Sequence, residues 1–320
     1  MKKLVSLILA AALLAVMLLC LASCGGSGKP TVGIIQFGSH ASLNNCYDGI
    51  MAKFTELYGE ELPFEVEHVI SNFDGTVSAA QAQMMVNKKV DVIVAIATPS
   101  AVAAATSADG EVPVVFCAVT DASTMENYEN VTGSSDIPNF DKQLGLVTSM
   151  LGKESGIKIG VLYSTEESSS PIQVASLKAA AAKYENIEIC DSIVADITTI
   201  DAKVNELIAR DVDCFINLLD NTIIGKLETN ILPITNEAGV PVFGSEVEQV
   251  RAGCAGSASI EYTTVGATAA EAVYKILNGT DADSIEVAVI QDPALYFNSD
   301  VCAKFGLVTP AGGTATDVAE

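Results

Sequence analysis

Tryptophan is absent from the 320 residues, and histidine occurs only twice, as His40 and His68. His68 falls in a strand-like segment, where packing or solvation accounts for it. One remaining histidine is too few to assemble a His-dependent triad or a histidine metal site. Basic side chains are also scarce: 17 Lys and Arg stand against 40 Asp and Glu, a formal net charge of −23. A surface of that sign repels phosphate backbones and anionic headgroups, which argues against nucleic acid as a partner. The first strand-like run ends in Gly38-Ser39-His40, with no Gly-x-Gly-x-x-Gly, and neither a P-loop nor a Gly-x-Ser-x-Gly elbow occurs. The chain is therefore read as a non-enzyme without cofactor or metal. Eight cysteines are present, scattered singly with no Cys-x-x-Cys, and Cys117 and Cys214 lie inside apolar runs. Such cysteines behave as small buried hydrophobes, so few or no disulfides are expected.

What is present begins with a targeting pattern. Lys2 and Lys3 precede an uncharged apolar run over 4–21, followed by Leu21-Ala22-Ser23-Cys24-Gly25. A basic start, an apolar stretch and small residues before a cut make a secretory signal, here 1–23. The alternative is an uncleaved anchor, since 18 residues just suffice for a short span. The Leu-Ala-Ser-Cys-Gly ending resembles a bacterial lipobox, which would make Cys24 the lipidated amino terminus and 24–30 a Gly/Ser tether. Both readings place the folded body outside the cytoplasm, held at the cell membrane.

From Thr31 onward, apolar runs of strand length alternate with helix-period segments. Strands are expected over 32–37, 64–70, 90–97, 114–119 and 131–134, with helices over 41–58, 77–87 and 99–107. After a helix over 140–151 the pattern repeats, with strands over 157–163, 187–194, 212–219 and 240–244 and helices over 171–183, 200–209, 222–237 and 247–253. Continuous Val/Ile/Ala strands are those buried on both faces of a parallel sheet. The fold class is therefore α/β: two doubly wound parallel-sheet domains joined by a multi-strand hinge. A strand over 258–262 and a helix over 264–278 would cross back to the first domain, while 285–290 and 295–297 would return to the second. The expected division is 31–138 plus about 260–282 for the first domain, and 139–259 plus about 283–320 for the second.

In open parallel sheets, ligands bind outside the carboxyl ends of the strands. Here those ends are repeatedly polar: Ser39 and His40, then Thr98-Pro99-Ser100, Thr120-Asp121, Ser169-Ser170, Asp220-Asn221 and Ser245-Glu246. Thr98 suits a helix N-cap and Pro99 a first helical position, which would expose backbone N–H groups to an anion such as a carboxylate. Each residue taken alone is explained equally well as a simple cap. Facing each other across a hinge, the two sets would hold a zwitterion, with Asp220 or Glu246 on its ammonium and Phe37 or Tyr163 beside an apolar side chain. Without tryptophan, stacking on an aromatic ligand falls to Phe or Tyr.

The stretches "VGIIQFGSHASLNNCYDGI", "VDVIVAIATPSA", "VPVVFCAVTDAS", "NVTGSSD", "IGVLYSTEESSS", "LLDNTI", "VPVFGSEVEQVRAGC" and "SIEYTTVGATAAEAVYKILNG" resemble, in order and spacing, the substrate-binding lipoproteins of ABC importers of the tryptophan/tyrosine-uptake group. The resemblance covers nearly all of 32–279. It implies a type I periplasmic-binding-protein fold that closes on its ligand and delivers it to a membrane permease, acting as a monomer. It also implies a pocket formed by Phe37, Ser39, His40, Asn44, Thr98, Pro99, Ser100, Thr120, Asp121, Ser169, Ser170, Asp220, Asn221 and Glu246. An aromatic amino acid is the favoured ligand; a branched or small amino acid, a purine or a short peptide is the alternative cargo. A sensor that presents its ligand to a membrane receptor is the alternative role, since fold does not fix use. Two positions depart from the group: Ala122 stands where proline is common, and Glu246 where aspartate is common.

Overall fold

The computed structural model describes residues 28–153, 155–290 and 292–319. The expected signal segment 1–23 and the expected lipidation site Cys24 lie outside the described residues. Among those residues, no helix is long and apolar enough to cross a membrane.

The first lobe alternates β1 (Thr31–Gln36), α1 (Ala41–Tyr58), β2 (Glu65–Ile70), α2 (Gly75–Lys88), β3 (Val92–Ile96), α3 (Thr98–Ala108), β4 (Val114–Val119) and β5 (Val131–Ser135). β1 lies between β2 and β3 with both pairings parallel, as parallel strands joined by helical crossovers must be. Side chains alternate between faces: Val32 and Ile34 enter one core layer with Ile50 and Phe54 of α1, while Ile35 enters another with Met85 of α2 and Ala104 of α3. With both faces covered, β3 and β4 are buried at every position, which explains their unbroken apolar sequences.

The second lobe begins with α4 (Phe140–Leu151) and continues through β6 (Ile157–Ser164), α5 (Ser170–Ala181), β7 (Ile187–Val194), α6 (Ile200–Ile208), β8 (Cys214–Ile216), α7 (Asn221–Ile224), α8 (Leu232–Ala238), β9 (Val242–Phe243), α9 (Val247–Ala252) and β10 (Gly256–Ser259). Its sheet runs β7-β6-β8-β9 in parallel. Two backbone bonds, Ala255 N–H to Val242 O (2.7 Å) and Gly244 N–H to Gly256 O (3.0 Å), continue it into β10. The chain then returns to the first lobe as α10 (Tyr262–Leu277) and β11 (Ala288–Val289), and ends on the second as β12 (Ala294–Phe297), α11 (Ser299–Phe305) and β13 (Thr316–Asp317). It thus passes between lobes three times: after β5, after β10 and after β11. This is the two-lobed type I periplasmic-binding-protein architecture.

α10 locks onto α1 through two glycines. A side chain at Gly49 would collide with the backbone carbonyl of Thr263, and one at Gly266 with that of Cys46. Only glycine permits so close a backbone approach. The six cysteines among the described residues are all buried and unpaired.

Four local expectations are corrected. The segment 285–290 joins the first lobe, not the second: Ala288 and Val289 pair with Ser134 and Ser135, and Ile290 N–H donates to Ser135 O. Thr98 is not the N-cap of α3; Ala97 holds that position with φ 79° and no side-chain cap, which places Thr98 inside the helix. The single helix expected over 222–237 breaks into α7, a wide π turn over Leu227–Ile231 and α8. Pro233 accounts for the wide turn, since it lacks an N–H and its ring crowds the carbonyl four residues back, that of Thr229; α7 separates earlier, at Gly225 and Lys226. The strand expected over 212–219 pairs only over Cys214–Ile216, because Leu219 leaves the sheet and packs into the first lobe's core.

Candidate functional site

The carboxyl ends of both sheets face each other, and direct contacts close the gap between them. His40 Nε2 lies 2.9 Å from Asn221 Oδ1, and Asn45 Nδ2 donates to Glu248 Oε1 at 2.9 Å. The Phe73 ring sits 3.5 Å from the point where a Gly225 side chain would begin. With Leu219 in the first lobe's core, these contacts define a closed cleft.

The first wall offers rings and helix amino termini. Phe37 is fully buried and meets Phe73 edge to face at 6.0 Å, so Phe73 is the ring that reaches the interface. Asn72 (φ 52°) and Phe73 (φ 63°) both adopt left-handed backbone, which costs non-glycine residues about 1–3 kcal/mol each and clusters at functional sites. His40 stacks parallel to Phe73 at 6.2 Å. α1 and α3 begin here with no side-chain cap, whereas the peripheral α2 and α4 are capped by Asp74 and Asn139. First-turn N–H groups are thereby left for an anion.

The second wall carries acid. Asp220 is fully buried, and both its oxygens are engaged: Oδ2 accepts from Ser164 N–H (2.7 Å) and Ser170 Oγ (2.8 Å), Oδ1 from Ser164 Oγ (3.0 Å) and Ile223 N–H (3.1 Å). Four donors fill the acceptor sites of one carboxylate. Asp220 therefore ties β6, α5 and α7 together. Glu167 is buried, accepting from Ser169 Oγ (3.2 Å) on Oε1 and from Asn221 Nδ2 (2.7 Å) on Oε2. Because Asn221 Oδ1 can only accept, His40 carries its proton on Nε2, and its buried Nδ1 has no protein partner. Glu246, at the start of α9, is buried. From the hinge end of β5, Asp136 accepts from Tyr262 Oη (2.8 Å) through Oδ2, while its buried Oδ1 has no protein donor.

Burial pushes all four carboxyls up: Glu167 to about 8, Glu246 to about 7, Asp136 to about 6, and Asp220 above its ordinary range against the pull of its hydrogen bonds. The neighbouring Asp220 charge adds to the rise at Glu167. Burial also lowers His40, so no cation is generated there. Among the described residues, no lysine or arginine forms an ion pair with any of the four; the ion pairs join other groups, such as Lys178–Asp191 and Lys183–Asp141. Isolated buried carboxylates are costly, and a cationic group is what this arrangement accommodates.

The other expected site residues are distributed as follows. Ser39 and Asn44 are exposed at the rim, their side chains 3.4 Å apart. Thr98 is buried beside half-buried Pro99, and Ser100 is turned away, its hydroxyl 3.0 Å from Ser78 of α2. Thr120, Asp121 and Ser169 line a cavity of about 190 Å³ with Ile137, Ile172 and Gln173, at the junction of both lobes and the hinge. Sequence reasoning missed Glu167, Asp136 and Phe73. Asp136 closes "NVTGSSD", where an acid directly after a strand end was the available signal; Glu167 sat unremarked in a polar loop.

The family of ABC transporter substrate binding proteins matches residues 31–312. A tyrosine-binding protein of Clostridioides difficile (strain R20291) is 29% identical over 282 residues, covering 85% of this chain and 79% of its own. An ABC domain from Streptococcus pneumonia in complex with L-Trp is similar in structure, with TM-score 0.83, 25% identity, 89% of this chain and 97% of that one. The ligand-free, open structure of a substrate-binding protein with adhesive properties from Clostridium difficile has TM-score 0.67 at the same 25% identity, covering 90% and 99%. At equal identity, the overall structure is thus more similar to the L-Trp complex than to the ligand-free, open structure.

Proposed function

The chain belongs to the ABC transporter substrate binding proteins, which are extracytoplasmic binding proteins and not enzymes, and from that premise we propose that it captures an aromatic amino acid and delivers it to a permease. One observation carries the reading: a closed interface with uncapped helix starts and aromatic rings on one wall, and buried carboxylates without a basic partner on the other. The ligand carboxylate takes the N–H groups at the starts of α1 and α3. Its ammonium takes Asp136, Glu167 or Glu246, and Phe73 with His40 bounds its ring. The tyrosine-binding relative and the L-Trp complex support this cargo.

A ligand that touches both walls binds the closed state better than the open one, and this difference drives closure. The lipid on Cys24 would keep the protein at the membrane where the permease lies. Thermal unfolding against amino acids, purines and dipeptides tests the cargo. At 100 times its dissociation constant, the right ligand stabilises by about 2.7 kcal/mol, a shift of a few degrees. Stabilisation by tyrosine, tryptophan or phenylalanine alone is expected. Stabilisation by purines or dipeptides instead would overturn the assignment.

A further inference from the structure

The acidic group is split between the walls. Asp136 ends β5 of the first lobe, while Glu167 and Glu246 follow β6 and β9 of the second. Burial is the main cause that raises all three in the closed cleft, and their charges add to it: Asp136 to the rise at Glu167, and Glu246 to that at Asp136. The groups facing them are Thr120, Ser42 and Cys46 of α1, Tyr262 of α10, Ser169 beside α5, Asp220 and Asn221 at α7, Gln249 with Glu248 of α9, and Cys254. None of these is a lysine or arginine. One further observation points to a ligand here: Asp136 Oδ1 is a buried side-chain atom of the closed cleft that no protein donor reaches at hydrogen-bond geometry, although Thr120 faces the carboxyl.

We propose that Asp136, Glu167 and Glu246 act as a charge gate, permitting closure only when a positively charged group arrives between the walls. With the lobes apart, each carboxylate is hydrated on its own wall. Brought together as anions and stripped of water, they repel one another across the cleft, and the empty protein stays open. An ammonium group removes the repulsion and lets the walls meet; a ligand without one does not. The three acids thereby determine specificity in addition to contacting the ligand. The gate rests on the ammonium-binding reading above but has a consequence that needs no ligand.

Protons can replace the ammonium. A carboxyl whose closed-state value is raised destabilises closure as pH climbs from its ordinary range near 4 to the raised value, here about 6 to 8. The closed state of the empty protein is favoured as pH falls through that window, by up to about tenfold per pH unit for each proton taken up.

The test is small-angle scattering of the ligand-free chain from Gly28, which contains every element described. The radius of gyration is recorded at pH 8.5 and 5.5 for the wild type and for the combined Asp136→Asn, Glu167→Gln, Glu246→Gln variant. The wild type is expected to be open at 8.5 and to contract at 5.5, with the variant contracted at both. A wild-type radius independent of pH, or a folded variant as open as the wild type at 8.5, would overturn the gate. Calorimetry with L-tyrosine separates the two readings. Acid closure without tyrosine binding keeps the gate and removes the cargo; tyrosine binding without acid closure does the reverse.

Discussion

The two walls of the cleft come from the same strand-helix alternation but differ in chemistry, although Asp136 after β5 puts one buried acid on the first. The first presents Phe73, His40 and the uncapped starts of α1 and α3; the second presents Glu167, Asp220 and Glu246 in a bed of Ser164, Ser169, Ser170 and Asn221. The difference lies in the side chains around the strand ends. On the second wall, Asp220 caps α7 with its own carboxylate and is consumed in doing so, while α5 and α9 begin without a cap from their N-cap side chains and Val247 N–H of α9 donates to Ser259 Oγ (2.9 Å). On the first wall no side chain caps α1 or α3, and the N–H groups remain available. The proposed ligand, anionic at one end and cationic at the other, would match both walls.

The largest effect is expected where a wall is built rather than where it binds. Asp220→Ala leaves the donors of Ser164, Ser170 and Ile223 without their acceptor. Breaking such a buried charged cluster costs about 3–5 kcal/mol, readable as a lowered urea midpoint of the ligand-free protein. An unchanged midpoint would show that Asp220 does not organise the second wall. Phe73→Ala acts on the first wall and on binding. Removing the ring is expected to weaken an aromatic ligand by about 1–3 kcal/mol in calorimetry, with a smaller loss for an aliphatic amino acid. Equal losses for both would remove Phe73 from the ligand's ring. The smallest effect belongs to the bridge between the walls. Asn45→Ala deletes the hydrogen bond to Glu248, and affinity is expected to fall by about 1 kcal/mol, roughly fivefold, mainly through faster release.

The frame of the molecule was legible because burial imposes a period on the sequence. α1 and α4 occupy the expected 41–58 and 140–151, and β4 and β7 the expected 114–119 and 187–194. Errors arose where apolar residues serve something other than their own element. Leu219 reads as strand of the second lobe, yet it packs into the first lobe's core. Pro233 sits inside an apolar helical period and widens the turn ahead of α8. The site was harder to read for an electrostatic reason. Glu167 in "STEESSS" is indistinguishable by sequence from Glu166 beside it, yet Glu167 is buried under the opposing lobe and Glu166 is exposed. Only the meeting of distant strand ends makes that distinction. The same holds for Phe37 and Phe73: the first, at a strand end, looked like the ligand's neighbour, while the second, in an unremarked turn, reaches the interface.

The most direct test of the two-wall account is calorimetric titration with L-tyrosine and with 3-(4-hydroxyphenyl)propionate, which keeps the ring and carboxylate but lacks the ammonium. The account predicts micromolar or tighter binding of tyrosine and at least about a hundredfold weaker binding of the analogue, because only tyrosine neutralises the buried acids of the second wall. Equal affinity for the two would contradict it, placing the ligand on the first wall alone.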